Sequence, residues 1–237
     1  MDDALTLDDG LTLWSPDARD GMPLLVLLHG YGADENDLFG LVPYLPDGIA
    51  VASVAAPLAP QWPMPGRSWY AIGSLEDTRD ATGVTAAAEA LLRWLRAASA
   101  TAPSIALLGF SQGGAVSLQA LRLAPEQIDA VVVLSGYAAA GELPNDAALQ
   151  EQKPPVFWGR GNRDDVIPPN LVDHTAQWLP AHSELSGRVY AGLTHSISEQ
   201  ELADVRIFLS QWKDAVADSA ADPNRDTPGL HDPRRGG

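Results

Sequence analysis

Residues 104–121 read SIALLGFSQGGAVSLQAL, in which an apolar run is followed by a glycine-flanked serine and then by apolar residues at helical spacing. The five central residues, Gly109-Phe110-Ser111-Gln112-Gly113, match the pattern G-x-S-x-G. In that pattern a sharp turn between a strand and a helix projects a serine side chain from the end of a sheet. Glycine flanks the serine because the turn brings backbone against backbone and leaves no room for a Cβ atom. The order strand, turn, helix therefore predicts that Ser111 is a nucleophile.

Five other apolar runs have the length of strands but do not alternate between apolar and polar residues. They cover residues 23–28, 49–54, 130–134, 155–158 and 188–191. Such runs suit a parallel sheet that is covered on both faces. Between them, Val84, Ala88, Leu91 and Leu95 recur at steps of four, three and four, which places them on one helix face. The alternation predicts a single α/β domain with a mostly parallel central sheet and helices on both of its faces.

The two ends of the chain depart from this alternation. Near the start, Leu5-Thr6-Leu7 and Leu11-Thr12-Leu13 flank Asp9-Gly10, which predicts an N-terminal antiparallel hairpin. Near the end, Ser196-x-x-Glu199 resembles the capping box of a last helix. Residues 214–237 contain almost no large apolar side chain, so we expect a disordered tail after a domain that covers residues 1–213.

A long loop is predicted over residues 57–73, which hold four prolines and three large aromatic side chains. Loops that carry aromatic residues over the end of a sheet often border a binding site. We expect Trp69, within this loop, to contact a substrate. The same aromatic residues would equally serve to fasten the loop to the body of the protein.

The composition excludes several classes of function. The chain has 15 basic and 31 acidic residues, a formal charge of −16, which disfavours binding to nucleic acid or to anionic lipid. This charge points to solubility, to cationic partners or to life at high salt. The chain has no cysteine, which excludes disulfides, thiolate metal sites and a cysteine nucleophile. The apolar runs are too short to span a bilayer, so we expect a cytoplasmic protein with no stable membrane insertion.

A serine nucleophile needs a histidine base and a carboxylate that orients it. His195 follows the last apolar run after a short connection, at the strand end where sites form in a parallel sheet. His29 also ends an apolar run, but it precedes the serine in the chain. Asp164 and Asp165 both follow the run at residues 155–158, and physical reasoning does not choose between them. The order serine, aspartate, histidine is the one found with this turn.

Motifs for cofactors and metals are incomplete. Asp34-x-Asn36 begins like a calcium loop, but Phe39 and Leu45 occupy the positions that need glycine and glutamate. The Gly30-x-Gly32 and Gly159-x-Gly161 pairs lack the third glycine of a dinucleotide fingerprint. The sequence therefore predicts neither a cofactor nor a metal.

Five ordered motifs, spread over about residues 20–212, resemble the phospholipase/carboxylesterase family of α/β-hydrolases, which includes acyl-protein thioesterases. The motifs are Leu28-His29-Gly30-Tyr31-Gly32-Ala33, Arg67-Ser68-Trp69-Tyr70, Gly109-Phe110-Ser111-Gln112-Gly113-Gly114, Asp164-Asp165-Val166-Ile167-Pro168 and Gly192-Leu193-Thr194-His195. The family's acid stands first in a D-x-V-V-P string, which implies Asp164. The family's oxyanion hole implies the backbone amides of Tyr31 and Gln112. One departure is Ala71, where family members commonly have aspartate.

The resemblance implies a serine hydrolase that cleaves carboxylic esters or thioesters of small or acyl-chain substrates. It would act through an acyl-enzyme with Ser111, His195 and Asp164, without a cofactor. Two alternatives from the same fold are a different cofactor-free reaction and a receptor that only binds its ligand. A complete serine, aspartate and histidine set favours the enzyme, because a binding protein has no need of a base. The sequence assigns no oligomeric state.

Overall fold

The computed structural model describes residues 4–15, 20–72 and 81–221. Seven strands form one sheet in the order β1-β3-β2-β4-β5-β6-β7. They are β1 (Leu13–Trp14), β2 (Leu24–Leu28), β3 (Ala50–Val54), β4 (Ile105–Phe110), β5 (Ala130–Leu134), β6 (Pro155–Gly161) and β7 (Glu184–Tyr190). All neighbours are parallel except β1 and β3. The predicted mostly parallel α/β sheet is confirmed.

The described residues include six α-helices. They are α1 (Glu35–Phe39), α2 (Ala81–Ala98), α3 (Gln112–Leu123), α4 (Asp146–Gln152), α5 (Pro169–His182) and α6 (Glu199–Ala221). Short 3-10 helices occur at Asp9–Leu11 and Val42–Tyr44. No helix within the described ranges combines the length and the apolar character needed to cross a bilayer.

Two apolar clusters cover the two faces of the sheet. One contains Val26 and Leu107 together with α2 and α3, and the other contains Leu27 and Leu108 together with α6. Strands β2, β3 and β5 are buried along their whole length. Their side chains therefore alternate between two apolar layers, which explains why the sequence runs do not alternate in polarity.

The register brings the carboxyl ends of the central strands to one edge of the sheet. Leu28 pairs with Gly109, Phe110 pairs with Leu134, and Leu134 pairs with Gly159. The residues that follow β2, β4, β5 and β6 consequently meet at this edge, which we call the carboxyl edge. Every predicted site residue except Trp69 lies within five residues after the end of one of the parallel strands.

The predicted N-terminal hairpin is wrong in its pairing. β1 is antiparallel, as expected, but Leu13 and Trp14 pair with Ser53 and Ala52 of β3, and residues 5–7 form no strand. Asp8 accepts a hydrogen bond from the amide of Gly10 (3.0 Å) and caps the 3-10 turn there. A turn does form at Asp9-Gly10, but it is a 3-10 turn rather than a hairpin turn, and the partner of β1 lies about 40 residues along the chain.

The last helix differs from the prediction at both of its ends. Ser198, rather than Ser196, accepts the capping hydrogen bond, from the amide of Glu201 (3.1 Å). α6 continues to Ala221, eight residues beyond the predicted domain boundary. Val216 packs against the apolar cluster under the sheet, which anchors this extension. The rest of the predicted tail, residues 222–237, lies outside the described residues.

The described part of the predicted long loop, residues 57–72, contains no helix or strand. A single bridge between Leu58 and Ser68 closes it on itself. Two further backbone hydrogen bonds, Gly32 N to Arg67 O (2.9 Å) and Arg67 N to Ala33 O (2.8 Å), attach it to the turn after β2. The loop is therefore fastened beside the carboxyl edge.

Candidate active site

Ser111 occupies the turn between β4 and α3 in a backbone conformation that few residues adopt, with φ 54° and ψ −114°. The turn is possible because of its glycines. A Cβ atom at Gly109 would collide with the backbone of Gly113, and one at Gly113 would collide with the carbonyl of Leu28. The Ser111 amide donates to Leu134 O (2.8 Å), which fixes the turn to β5. The strain is held by the surrounding sheet, as at many functional sites.

His195 lies between Ser111 and Asp164. Its Nε2 atom is 2.9 Å from Ser111 Oγ, and its Nδ1 atom is 2.7 Å from Asp164 Oδ2. The His195 side chain is 15% exposed and that of Asp164 is 6% exposed. Burial alone would raise the pKa of Asp164, but the hydrogen bond and the charge attraction from His195 outweigh it, so the pKa lies below its ordinary value. Asp164 is therefore ionised beside the imidazole at neutral pH.

The loops that carry the acid and the histidine are joined to each other. Arg163 N donates to Leu193 O (3.0 Å), and Gly192 N donates to the side-chain oxygen of Asn162 (2.7 Å). The other carboxylate oxygen of Asp164 accepts from the amides of Val166 (3.0 Å) and Ile167 (3.2 Å). These bonds hold the carboxylate in one orientation toward the ring.

On the other side of Ser111 lies the turn after β2. An ideal Cβ atom at Gly30 would be 3.7 Å from Ser111 Cβ, so this turn passes directly beside the serine. Tyr31 and Gln112 both line a cavity of about 210 Å³ together with Ser111 and His195. Gln112 is the first residue of α3, where backbone amides have no partner within the helix and favour a negative charge.

Trp69 does not line this cavity, and the prediction that it contacts substrate is wrong. The residue is completely buried. Its indole N–H donates to His29 O (2.9 Å), and its backbone N–H donates to the side chain of Gln112 (2.9 Å). The aromatic composition of the loop gave no indication of which aromatic residue faces inward. In contrast, Trp62 of the same loop is 93% exposed.

Among the described residues, His29 and His182 form hydrogen bonds with groups other than Ser111, and Asp165 is not the carboxylate that reaches His195. His29 is fully buried; its Nε2 accepts from Ala56 N (3.1 Å), so its Nδ1 donates to Gly30 O (2.7 Å). Burial lowers the pKa of His29, which keeps this structural residue neutral. His182 stacks on Trp178 in α5. Asp165 is exposed, whereas its neighbour Asp164 bonds to His195.

Sequence reasoning overlooked three residues that shape the site. The Phe110 ring packs against the His195 ring with centroids 4.9 Å apart. Val166 lines the cavity, and Asn162 joins the two loops. Phe110 occupies the first variable position of G-x-S-x-G and Val166 is the first valine of the D-x-V-V-P string, but nothing in the sequence distinguishes Asn162.

Within residues 4–15, 20–72 and 81–221, no group of three or more His, Asp and Glu side chains is arranged to hold a metal ion. The arrangement at the carboxyl edge instead offers a hydroxyl, an imidazole and a carboxylate in a hydrogen-bonded row beside a small cavity. Fold and site together define an α/β-hydrolase.

Comparison with known proteins identifies the family within the α/β-hydrolases to which the chain belongs. The profile of the Phospholipase/Carboxylesterase family matches residues 15–213. Acyl-protein thioesterase 1 of Debaryomyces hansenii is 28% identical over 216 residues, which cover 81% of this chain and 92% of the relative. A probable carboxylesterase of Oryza sativa subsp. japonica is 29% identical over 243 residues, covering 91% and 96%.

The crystal structure of esterase PE8 is similar with a TM-score of 0.73 and 27% identity, covering 87% of this chain and 99% of that one. A carboxylesterase from Mesorhizobium loti has the same fold, with a TM-score of 0.71 at 18% identity and coverage of 88% and 99%. The chain belongs to the phospholipase/carboxylesterase family, and it is a hydrolase of the carboxylesterase type.

Proposed function

We propose that this protein hydrolyses small carboxylic esters or thioesters in two steps, through an acyl-enzyme on Ser111. The observation that carries the proposal is the position of His195, within hydrogen-bond distance of both Ser111 Oγ (2.9 Å) and Asp164 Oδ2 (2.7 Å). A hydroxyl is a poor nucleophile at neutral pH, and this row supplies the base that it needs.

In the first step Ser111 Oγ attacks the carbonyl carbon while His195 Nε2 takes the hydroxyl proton. Asp164 accepts the hydrogen bond from Nδ1–H, which sets the tautomer and stabilises the imidazolium ion. His195 then gives the proton to the departing alcohol or thiol. Water, deprotonated by His195, attacks the acyl-enzyme in the second step and releases the acid and free Ser111.

The tetrahedral oxyanion in each step is assigned to the backbone amides of Tyr31 and Gln112. Two observations support this assignment. Both residues line the cavity beside Ser111. Gln112 is also the first residue of α3, where the helix dipole favours negative charge. One such donor is typically worth about 3–4 kcal/mol of transition-state stabilisation.

The substrate class follows from the cavity. Its volume of about 210 Å³ and its apolar residues Ile72, Phe110 and Val166 suit a small acyl group. The charge of −16 disfavours nucleic acid as a partner. The relatives include both carboxylesterases and acyl-protein thioesterases, so esters and thioesters are both included in the proposal.

The proposal is tested by steady-state hydrolysis of activated esters and thioesters of increasing acyl length. We expect Ser111→Ala to lower kcat by about 10⁴-fold or more, because the three residues act as a unit. His195→Ala should cause a comparable loss, and the two losses should not add. A Ser111→Ala protein that retains the native rate would require another nucleophile, and a native protein that binds esters without turnover would be a receptor.

A further inference from the structure

Trp69 makes hydrogen bonds to both segments that flank the cavity beside Ser111. Its indole N–H donates to His29 O (2.9 Å), at the start of the turn that presents the Tyr31 amide. Its backbone N–H donates to Gln112 Oε1 (2.9 Å), on the residue whose amide is the second proposed donor. One buried residue thus connects two segments that are about 80 residues apart in the chain.

The bond to His29 constrains the turn after β2. His29 itself is fixed by the amide of Ala56 at its Nε2 atom and by Gly30 O at its Nδ1 atom. With its carbonyl held by Trp69, the peptide that leads into Gly30 and Tyr31 has one orientation. The Trp69 and His29 rings also pack together, with centroids 5.7 Å apart.

The bonds to Gln112 constrain the start of α3. The Gln112 side chain is fully buried and also donates from Nε2 to Tyr70 O (2.7 Å). Ser68 Oγ donates to Tyr70 O (2.6 Å) and fixes that acceptor. The side-chain amide is therefore held by both of its polar atoms, which sets the rotation of α3 relative to the loop.

We propose that Trp69 is a positioning residue that sets the separation and orientation of the Tyr31 and Gln112 amides. This inference rests on the proposed function, because it assigns those amides to the oxyanion. Trp69 touches no substrate; it holds His29 and Gln112 in one frame, so both donors already point at one place before the reaction begins. Oxyanion stabilisation depends on such preorganised geometry, and a displacement of about 1 Å can cost roughly 100-fold in rate.

The test compares Trp69→Phe with Trp212→Phe. Phenylalanine keeps the apolar ring and the backbone N–H but removes the indole N–H. Trp212 is the matched control, since its buried indole N–H donates to Ser104 Oγ (3.0 Å) at the opposite edge of the sheet. Both variants lose one buried hydrogen bond and some ring volume, so we expect both to lower the melting temperature.

The kinetic results should separate the two variants. For Trp69→Phe we expect kcat on a neutral activated ester to fall roughly 10–100-fold with KM changed less than about 3-fold. The inhibition constant of a trifluoromethyl ketone, which forms a tetrahedral oxyanion with the serine, should rise by the same factor as kcat/KM falls. Trp212→Phe should keep the native kcat, KM and inhibition constant.

Gln112→Met provides a second variant if Trp69→Phe does not fold. It retains the backbone amide but removes the acceptor for Trp69 N, and we expect the same fall in kcat and the same loss of ketone affinity. A native kcat in a folded Trp69→Phe protein would overturn the inference. A rise in KM alone would also overturn it, because that result would indicate substrate contact.

Ser111→Ala separates this inference from the proposed function. If native protein and Ser111→Ala hydrolyse the ester equally, the proposed function fails. If hydrolysis depends on Ser111 but Trp69→Phe retains kcat, only the inference about Trp69 fails.

Discussion

Asp164 and Glu201 are two carboxyl groups beside the end of β6, and folding shifts their pKa values in opposite directions. Asp164 accepts hydrogen bonds from His195, Val166 and Ile167, and its pKa lies below its ordinary value because the partners outweigh the burial. Glu201 is completely buried, and neither of its carboxyl oxygens has a hydrogen-bond partner within the part of the chain that the structure describes.

Burial raises the pKa of Glu201 from 4.5 to about 7, and the charge of Asp204 adds to the rise. Its Oε1 atom fills the space where a side chain at Gly159 would lie. Hydrogen-bond partners, rather than depth alone, therefore decide whether a carboxyl group here is ionised.

The largest loss of activity should come from removing the ionised carboxylate of Asp164. We expect Asp164→Asn to lower kcat/KM by about 10⁴-fold, because the amide would hold the wrong tautomer of His195. Asp165→Asn is the matched control and should retain the native rate, since Asp165 is exposed and next to the same loop position. The reverse ranking, measured by ester hydrolysis, would show that the acid has been assigned one residue too early.

The two groups should also give opposite dependences of stability on pH. A pKa that is lowered by folding stabilises the protein above the unfolded value, 3.8 for Asp164, and this stability is lost as the pH falls through the lower folded value. A pKa that is raised by folding stabilises the protein below the unfolded value, and this stability is lost as the pH rises through the higher folded value. For Glu201, stability is highest below 4.5, falls as the pH rises to about 7 and is constant above that.

Replacement of Glu201 tests the predicted fall in stability with rising pH. Because Gln is neutral throughout, we expect Glu201→Gln to remove a decline of about 3 kcal/mol in the free energy of unfolding between pH 4.5 and pH 8. The measurement is urea unfolding of both proteins at several pH values. Glu199→Gln, an exposed residue in the same helical turn, should keep the native slope. Parallel curves for native protein and Glu201→Gln would contradict the assignment.

The smallest effect concerns the end of α6, where Val216 packs against the apolar cluster. Truncation after Lys213 should remove about 1 kcal/mol of stability and lower the melting temperature by roughly 2–4 °C. Truncation after Ala221 should leave the melting temperature unchanged, because residues 222–237 have almost no apolar side chains to bury. Equal melting temperatures for both truncations would show that Val216 contributes nothing measurable.

Much of the fold and of the site could be predicted from the sequence, because the apolar runs mark the strands and the site residues lie just after the ends of those strands. The runs that end at Leu28, Leu108 and Trp158 predicted β2, β4 and β6, and in a parallel sheet the residues after such strands share one edge. That rule alone brings the turn at Ser111 and the loops of Asp164 and His195 together. It does not choose between Asp164 and Asp165, which required the family resemblance.

The failures share a different cause. Whether Trp69 faces solvent or the interior, and which strand Leu13 joins, depend on contacts between segments that are distant in the chain. The same holds for Glu201, whose burial requires the missing side chain at Gly159. Composition and local periodicity contain no information on such contacts.

Covalent labelling by a fluorophosphonate tests directly whether Ser111 is an activated nucleophile, because the probe mimics the tetrahedral state and reacts only with an activated serine. We expect the native protein to gain the mass of one adduct, located by peptide mass spectrometry on residues 104–121. Ser111→Ala and heat-unfolded native protein should gain none, because an isolated hydroxyl reacts too slowly. A label on another residue, or an unlabelled native protein that still hydrolyses esters, would show that Ser111 is not the nucleophile.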